Sequence, residues 1–200
     1  MFEDANRSLL QLLVAPPNLS GGALSVPLII AEWAIYVAPA LLVLLWILGD
    51  DQDRRAAVGA CLSAFLALAV AAAISSLYFH PRPFMDGPAR NYLHHAPDSS
   101  FPSDHATLLF ALGFSLLIFR PAISRSLWLL PMALACAVGW ARVYLGAHHP
   151  IDIAGAGLLG LASSGVLAMP FGARVRDLMT TFGAWLYGLP VGLRRFNPPQ

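Results

Sequence analysis

Apolar residues form five runs that are long enough to cross a bilayer, and short polar segments separate them. The runs cover about residues 24–48, 56–79, 104–119, 125–145 and 150–170. A transmembrane helix needs roughly 20 mostly apolar residues. The pattern therefore predicts an all-α integral membrane helical bundle with about five transmembrane helices, forming a single membrane-embedded domain over residues 1–200.

The chain is amphipathic at both ends rather than uniformly apolar. Residues 9–14 are almost all Leu or Val, but Pro16 and Pro17 end this patch before it could span. Residues 173–190 mix arginine and aspartate with Leu, Phe, Trp and Tyr. Such segments are typical of helices that lie in the membrane interface, so we expect one at each end.

The overall composition agrees with a membrane protein. Hydrophobic residues make up 58% of the chain and charged residues 12%, and the mean hydropathy is +0.65, well away from soluble averages. The net charge of +1 and the lack of a basic run argue against a nucleic-acid partner. Cys61 and Cys136 stand alone inside apolar runs, and we expect both to be buried without forming a disulfide.

The arginines are distributed unevenly between the two sides of the predicted bundle. With an odd number of spans, one side carries Arg54, Arg55, Arg120, Arg125, Arg174, Arg176, Arg194 and Arg195. Arginine-rich loops face the cytoplasm. The opposite, outer side carries only Arg7, Arg82, Arg90 and Arg142.

Three polar segments fall on this outer side: HPRPF (80–84), FPSDH (101–105) and RVYLGAHHPID (142–152). All six histidines lie between residues 80 and 149. Histidine titrates close to neutrality, so its grouping with fixed cations indicates a reaction centre.

The third segment places a histidine and a carboxylate at the start of a helix. Pro150 suits the first helical position, which leaves Asp152 in the first turn. Asp152 could then reach back to one imidazole nitrogen of His148 and leave the other free as a nucleophile. His149 could compete for this role. The alternative is an ordinary helix start, in which Asp152 only interacts with the helix dipole.

The second segment also starts a helix, with Ser103 as a good N-cap whose helix would present N–H groups to an anion. His105 in the first turn could protonate a leaving oxygen, although Ser103 and Asp104 could also serve only as caps. Arg82 and Arg142 have guanidinium groups that match phosphate oxygens. Together these groups predict a phosphoryl-transfer site.

A metal site is the rival chemistry, because the pairs His94-His95 and His148-His149 have aspartates nearby. Adjacent histidines rarely converge on one ion, and no zinc-binding spacing occurs. We therefore expect no metal and no cofactor.

The three segments resemble the signature motifs of the type 2 phosphatidic acid phosphatase superfamily over residues 75–152. The matching residues are Arg82-Pro83, then Pro102 to His105, then Arg142, His148 and Asp152. The resemblance implies that His148 forms a phosphohistidine, that Asp152 orients it and that His105 protonates the leaving group. It also implies that Arg82, Ser103 and Arg142 hold the phosphate, and that no metal is needed.

Two positions depart from the usual motifs. Ser75 stands where the family usually has Lys, and Asp104 replaces a Gly; both remain candidate phosphate-binding residues. The sequence FHPRPF, followed by HAPDSSFPSDH, is similar to the motifs of the bacterial undecaprenyl-diphosphatase branch. This similarity implies a multi-pass protein of the bacterial cytoplasmic membrane that releases phosphate from an isoprenoid lipid diphosphate at its outward-facing site.

Other functions fit the same residues. The site could act on phosphatidic acid or phosphatidylglycerol phosphate, or transfer the phosphoryl group to another lipid. A non-enzymatic scaffold or transporter could use the outer arginines to bind anionic lipids. Separately, Ala156, Gly160 and Ser164 recur every four residues, which predicts close helix packing, either internally or with a second protomer.

Overall fold

The computed structural model describes residues 2–87 and 89–188, and all regular secondary structure within these ranges is helical. The helices are α1 (Phe2–Leu13), α2 (Gly22–Trp33), α3 (Val37–Leu48), α4 (Asp51–Leu77), α5 (Pro83–Asp86), α6 (Asp104–Phe119), α7 (Leu129–Tyr144), α8 (Pro150–Ala168) and α9 (Pro170–Leu186). The predicted all-α fold is confirmed.

Within the described ranges, three helical stretches are long and apolar enough to span a membrane. They are α4, α8 and the Gly22–Leu48 stretch, in which a 3₁₀ turn at Ala34–Tyr36 joins α2 to α3. The apolar helices α6 and α7 are shorter. The chain is therefore a helical membrane protein, and the count of about five spans stays a prediction.

The core of the bundle lies where α6 packs between α4 and α8. Small residues bring α8 close to α6: a Cβ on Gly160 would lie 2.7 Å from the backbone nitrogen of Ala111. Beside it, the hydroxyls of Ser164 and Ser115 are 2.9 Å apart. These contacts are with α6 of the same chain, so the stripe of Ala156, Gly160 and Ser164 packs within the protomer.

Local signals in the sequence fix the ends of the long helices. Asp50 accepts hydrogen bonds from the backbone N–H groups of Gln52 and Asp53, and Asp53 accepts one in return from Asp50. This capping box starts α4. At the other end of the bundle, Pro150 occupies the first turn of α8, as predicted.

The N-terminal helix α1 lies against the start of α8. The side-chain oxygen of the buried Asn6 accepts from the backbone N–H of Ile151 at 3.2 Å. Leu9 and Leu12 on α1 are exposed. The placement of α1 in the membrane interface stays a prediction.

The C-terminal helix α9 follows α8 after a single residue, Met169, and packs against α4. Its interfacial position also stays a prediction. Arg194, Arg195 and the end of the predicted 173–190 helix lie outside the described residues.

The expectation that both cysteines are buried was wrong for one of them. Cys61 is partly buried, whereas Cys136 is exposed on α7. An outward-facing position on an apolar helix suits a small hydrophobic residue in a protein that lipid surrounds.

Candidate active site

The three polar segments meet at one end of the bundle and enclose a cavity of about 310 Å³. The end of α4, the start of α6 and the end of α7 contribute to its wall, together with the loops before α6 and α8. Six of the predicted site residues line it: Ser75, Arg82, Asp104, His105, Arg142 and His148. Ser103 and Asp152 are fully buried and do not line it.

His148 is held in one tautomer by the groups on either side of its ring. Its Nδ1 lies 2.8 Å from the carbonyl oxygen of Ser100 and 3.4 Å from the carboxylate of Asp152. Both neighbours are acceptors, so Nδ1 carries the proton. On the other side, Arg82 donates to Nε2 over 3.3 Å. Nε2 is therefore unprotonated at the cavity wall, where its lone pair accepts the hydrogen bond from Arg82.

Burial keeps this imidazole neutral. It lowers the pKa of His148 to about 4, and the hydrogen bond to Asp152 acts in the opposite direction. A neutral imidazole has the lone pair that nucleophilic attack requires.

Asp152 connects the start of α8 to the histidines around it. One carboxylate oxygen accepts from the backbone N–H of His149 at 2.8 Å and faces His148. The other oxygen lies 3.1 Å from Nδ1 of His80. The sequence predicted the contact with His148 but not the one with His80.

Besides Nε2 of His148, three further acceptors from two loops fix Arg82. Its Nε donates to Asp98 at 2.7 Å, and its guanidinium also donates to the carbonyl oxygens of Ala147 and Ser99. Asp98 is exposed and lines the cavity. This carboxylate occupies the guanidinium edge that a phosphate oxygen could take, and sequence reasoning did not identify it.

Arg142 is buried at the end of α7 and is also held by neighbours. It donates to the carbonyl oxygen of Ala31 at 3.1 Å and to Nε2 of His95 at 2.6 Å. Burial, with the nearby Arg82 and Arg142, lowers the pKa of His95 to about 4, so this ring is a neutral acceptor. His95 had no assigned role in the sequence, where only its place in a histidine-rich loop singled it out.

The second segment starts α6 at the predicted N-cap residue, but the Ser103 hydroxyl does not cap the helix. Ser103 is the N-cap residue of α6, yet its side chain makes no capping hydrogen bond, and among the described residues its buried Oγ has no hydrogen-bond partner. Asp104 and His105 occupy the first turn and line the cavity. A phosphate role for Ser103 stays a prediction.

Ser75, at the position where the family usually has Lys, lines the cavity, but its hydroxyl donates to the carbonyl oxygen of Phe101 at 2.8 Å. This bond ties the end of α4 to the loop before α6. The hydroxyl proton therefore points at backbone rather than at a bound anion. Ser75 supplies no positive charge in place of the missing Lys.

The arrangement can perform phosphoryl transfer. It combines a neutral imidazole whose Nε2 is unprotonated, two buried guanidinium groups, the first turn of a helix and a second histidine on one cavity wall. Positioning and charge stabilisation are the main requirements of this chemistry.

Comparisons with known proteins agree with this chemistry. The sequence profile described as the PAP2 superfamily matches residues 56–176. YbjG of Escherichia coli (strain K12) is 34% identical over 194 residues, which is 96% of each chain. BcrC of Bacillus subtilis (strain 168), named as an undecaprenyl-diphosphatase, is 31% identical over 131 residues, or 66% of each chain.

A solved structure shares the fold. The crystal structure of LpxE from Aquifex aeolicus matches with a TM-score of 0.61 and 21% sequence identity, covering 80% of this chain and 92% of that chain. The profile match and the two relatives confirm the family resemblance of the motifs and the predicted enzyme class, a lipid phosphatase. The chain therefore belongs to the PAP2 superfamily.

Proposed function

We propose that this protein is an undecaprenyl-diphosphate phosphatase that works through a phosphohistidine on His148. One observation carries the mechanism: Nδ1 of His148 is engaged by Ser100, while Nε2 faces Arg82 at the cavity. The substrate rests on similarity to relatives such as BcrC, which is named as an undecaprenyl-diphosphatase. The products are inorganic phosphate and undecaprenyl phosphate.

The reaction has two steps at the terminal phosphorus. Nε2 of His148 attacks this atom, the bond to the bridging oxygen breaks, and His105 protonates that oxygen as the lipid monophosphate leaves. Water then attacks the phosphohistidine and gives a proton to His105, releasing inorganic phosphate. The phosphohistidine ring carries a positive charge, which the Asp152 carboxylate stabilises across 3.4 Å.

The phosphate is held by fixed positive groups rather than by a metal. Arg82 and Arg142 are both buried and line the cavity, so their charges act in surroundings with little water. To bind Arg82 fully, the substrate displaces the Asp98 carboxylate from its Nε. The backbone N–H groups at the N-terminus of α6 add a partial positive charge at the same wall.

We further propose that the site opens at the outer face of the bacterial cytoplasmic membrane. The support is the arginine distribution, which puts the loops after Leu48 and Phe119 on the cytoplasmic side. A cavity at the outer end of the bundle suits a lipid whose head lies in water while its tail stays in the bilayer.

A phosphate-release panel with the purified protein in detergent tests this function. The substrates are undecaprenyl diphosphate, phosphatidic acid and phosphatidylglycerol phosphate, each with and without EDTA. We expect metal-independent release, fastest from undecaprenyl diphosphate, and none from His148→Ala. A preference for another lipid would reassign the substrate, and a requirement for an acceptor lipid would indicate a phosphotransferase.

A second pair of variants separates an enzyme from a lipid-binding scaffold or transporter. His105→Gln and His148→Gln remove the reactive imidazoles while keeping polar side chains of similar size. We expect both to lose phosphate release. If both variants retained the protein's cellular function, the non-enzymatic hypothesis would replace this proposal.

A further inference from the structure

His80 lies behind the candidate nucleophile, on the far side of Asp152. Its Nδ1 is 3.1 Å from one oxygen of the Asp152 carboxylate and 2.8 Å from the hydroxyl of Ser100. His80 is buried, and it does not line the cavity. The mechanism described above gives it no step.

Ser100 and Asp152 each contact both imidazoles. The carbonyl oxygen of Ser100 accepts from His148, while its hydroxyl lies against His80. The two oxygens of Asp152 are divided in the same way, one facing each ring. The two histidines are thus linked through two shared residues, and each uses its Nδ1.

The Asp152 carboxylate needs donors on both oxygens because it has no exposed surface. One oxygen has the His149 N–H and His148. Within the part of the chain that the structure describes, His80 is the side chain that supplies a hydrogen bond to the other. A buried charged oxygen without a donor is costly and would turn toward other donors.

We infer that His80 is a positioning residue: its Nδ1–H holds Asp152 so that the other carboxylate oxygen stays directed at His148. This inference rests on the proposed function, in which His148 is the nucleophile. By fixing Asp152, His80 supports the positive charge of the phosphohistidine without touching the substrate.

Two acidic side chains and a second histidine lie around His80. Glu3 of α1 lies 4.0 Å from its Nε2, Asp86 of α5 is nearby, and the ring of His149 is 4.9 Å away between centroids. The hydrogen bond to Asp152 is the largest influence, and the pKa of His80 is raised above its ordinary value. Protonation of His80 puts a second positive charge beside Asp152 and weakens its support of the phosphohistidine.

Three variants test the inference. His80→Ala removes the donor, whereas His80→Asn keeps an N–H close to the Nδ1 position but cannot become charged. The matched control is His94→Asn, since His94 also lies between α4 and α6, is exposed and has a positive φ of 51° that Asn tolerates. We measure kcat, KM and their pH dependence with undecaprenyl diphosphate, and the melting temperature in detergent.

We expect His80→Ala to lower kcat by about 10- to 100-fold, the size expected for one hydrogen bond to a charged group, with KM within about threefold. His80→Asn should restore kcat to within about fivefold of wild type. Because Asn cannot be protonated, the kcat of this variant should not fall at low pH as the wild-type kcat does when His80 becomes protonated. His94→Asn should behave as wild type.

Wild-type kcat in His80→Ala would overturn the inference. So would equal losses in both His80 variants combined with a wild-type pH profile and a lower melting temperature, which is the pattern of a purely structural residue. The His148→Ala variant separates the two proposals. Turnover without His148 overturns the proposed function, whereas an inactive His148→Ala with a fully active His80→Ala overturns only the role of His80.

Discussion

His148 donates its Nδ1 proton to the carbonyl oxygen of Ser100 across 2.8 Å, a shorter contact than the 3.4 Å to Asp152. The backbone carbonyl is therefore sufficient to select the tautomer that leaves Nε2 unprotonated. Asp152 keeps a different task, since its negative charge offsets the positive charge that forms on His148 when the phosphorus bonds to Nε2. Ser100 thus fixes the tautomer and Asp152 supplies the charge, and the loss of kcat expected on replacing Asp152 follows from these two roles.

Replacing Asp152 with Asn should lower kcat by about 100-fold. Where an aspartate alone fixes the histidine tautomer, the same change costs about 10⁴-fold; here Ser100 retains the tautomer, and the change removes the charge and one of the two acceptor oxygens. Steady-state phosphate release checks the value, with Asp177→Asn on α9 as the control. A loss near 10⁴-fold would show that the Ser100 carbonyl does not hold the ring.

The protonation states of the histidines should differ in the free enzyme. Because the pKa of His148 is lowered to about 4, its ring is neutral at any pH above about 5. The pKa of His80 is raised, so this ring is largely protonated at pH 6. Nitrogen NMR of ¹⁵N-histidine-labelled protein in detergent, assigned with His→Asn variants, measures both. A His148 that is charged at pH 6 would contradict the geometry.

Ser75 should contribute little to phosphate binding, although it occupies the position at which the family usually has Lys. Its hydroxyl donates to the Phe101 carbonyl, so Ser75→Ala should change KM by less than about threefold. The adjacent Ser76 also lines the cavity and donates to a backbone carbonyl, which makes Ser76→Ala the matched control. A tenfold rise in KM for Ser75→Ala alone would assign the hydroxyl to the phosphate.

The contact between α6 and α8 should tolerate no added methyl group. A Cβ on Gly160 would lie 2.7 Å from the Ala111 nitrogen, so Gly160→Ala should cost about 1–3 kcal/mol of stability. On the same helix Gly165 has open space, and Gly165→Ala should stabilise by about 0.5–1 kcal/mol. Thermal unfolding in detergent compares them. Equal melting temperatures would contradict the packing.

Much of the fold could be predicted from local sequence signals. Apolar runs, Pro150 at a helix start and Ser103 at an N-cap position each act over a few residues, so the helices begin close to where they were expected. The order of the arginine, histidine and aspartate motifs likewise indicated which residues would share a site.

The contacts that tune the site could not be predicted in this way. Ser100 acts through its backbone carbonyl, which every residue has, so its type gives no signal. His80 contacts Asp152, and His95 contacts Arg142, only because segments far apart in sequence fold together. The sequence indicates only that both histidines belong to the cluster between residues 80 and 149, and the exposed His94 belongs to the same cluster.

Trapping the phosphoenzyme tests most directly whether His148 forms a phosphohistidine. Undecaprenyl diphosphate labelled with ³²P at its terminal phosphorus is mixed with the enzyme and quenched in alkali within one turnover. We expect a protein-bound label that is stable to alkali, labile to acid and located on His148, and that is absent in His148→Ala. Rapid turnover with no label on His148, or an equally labelled His148→Ala variant, would contradict it.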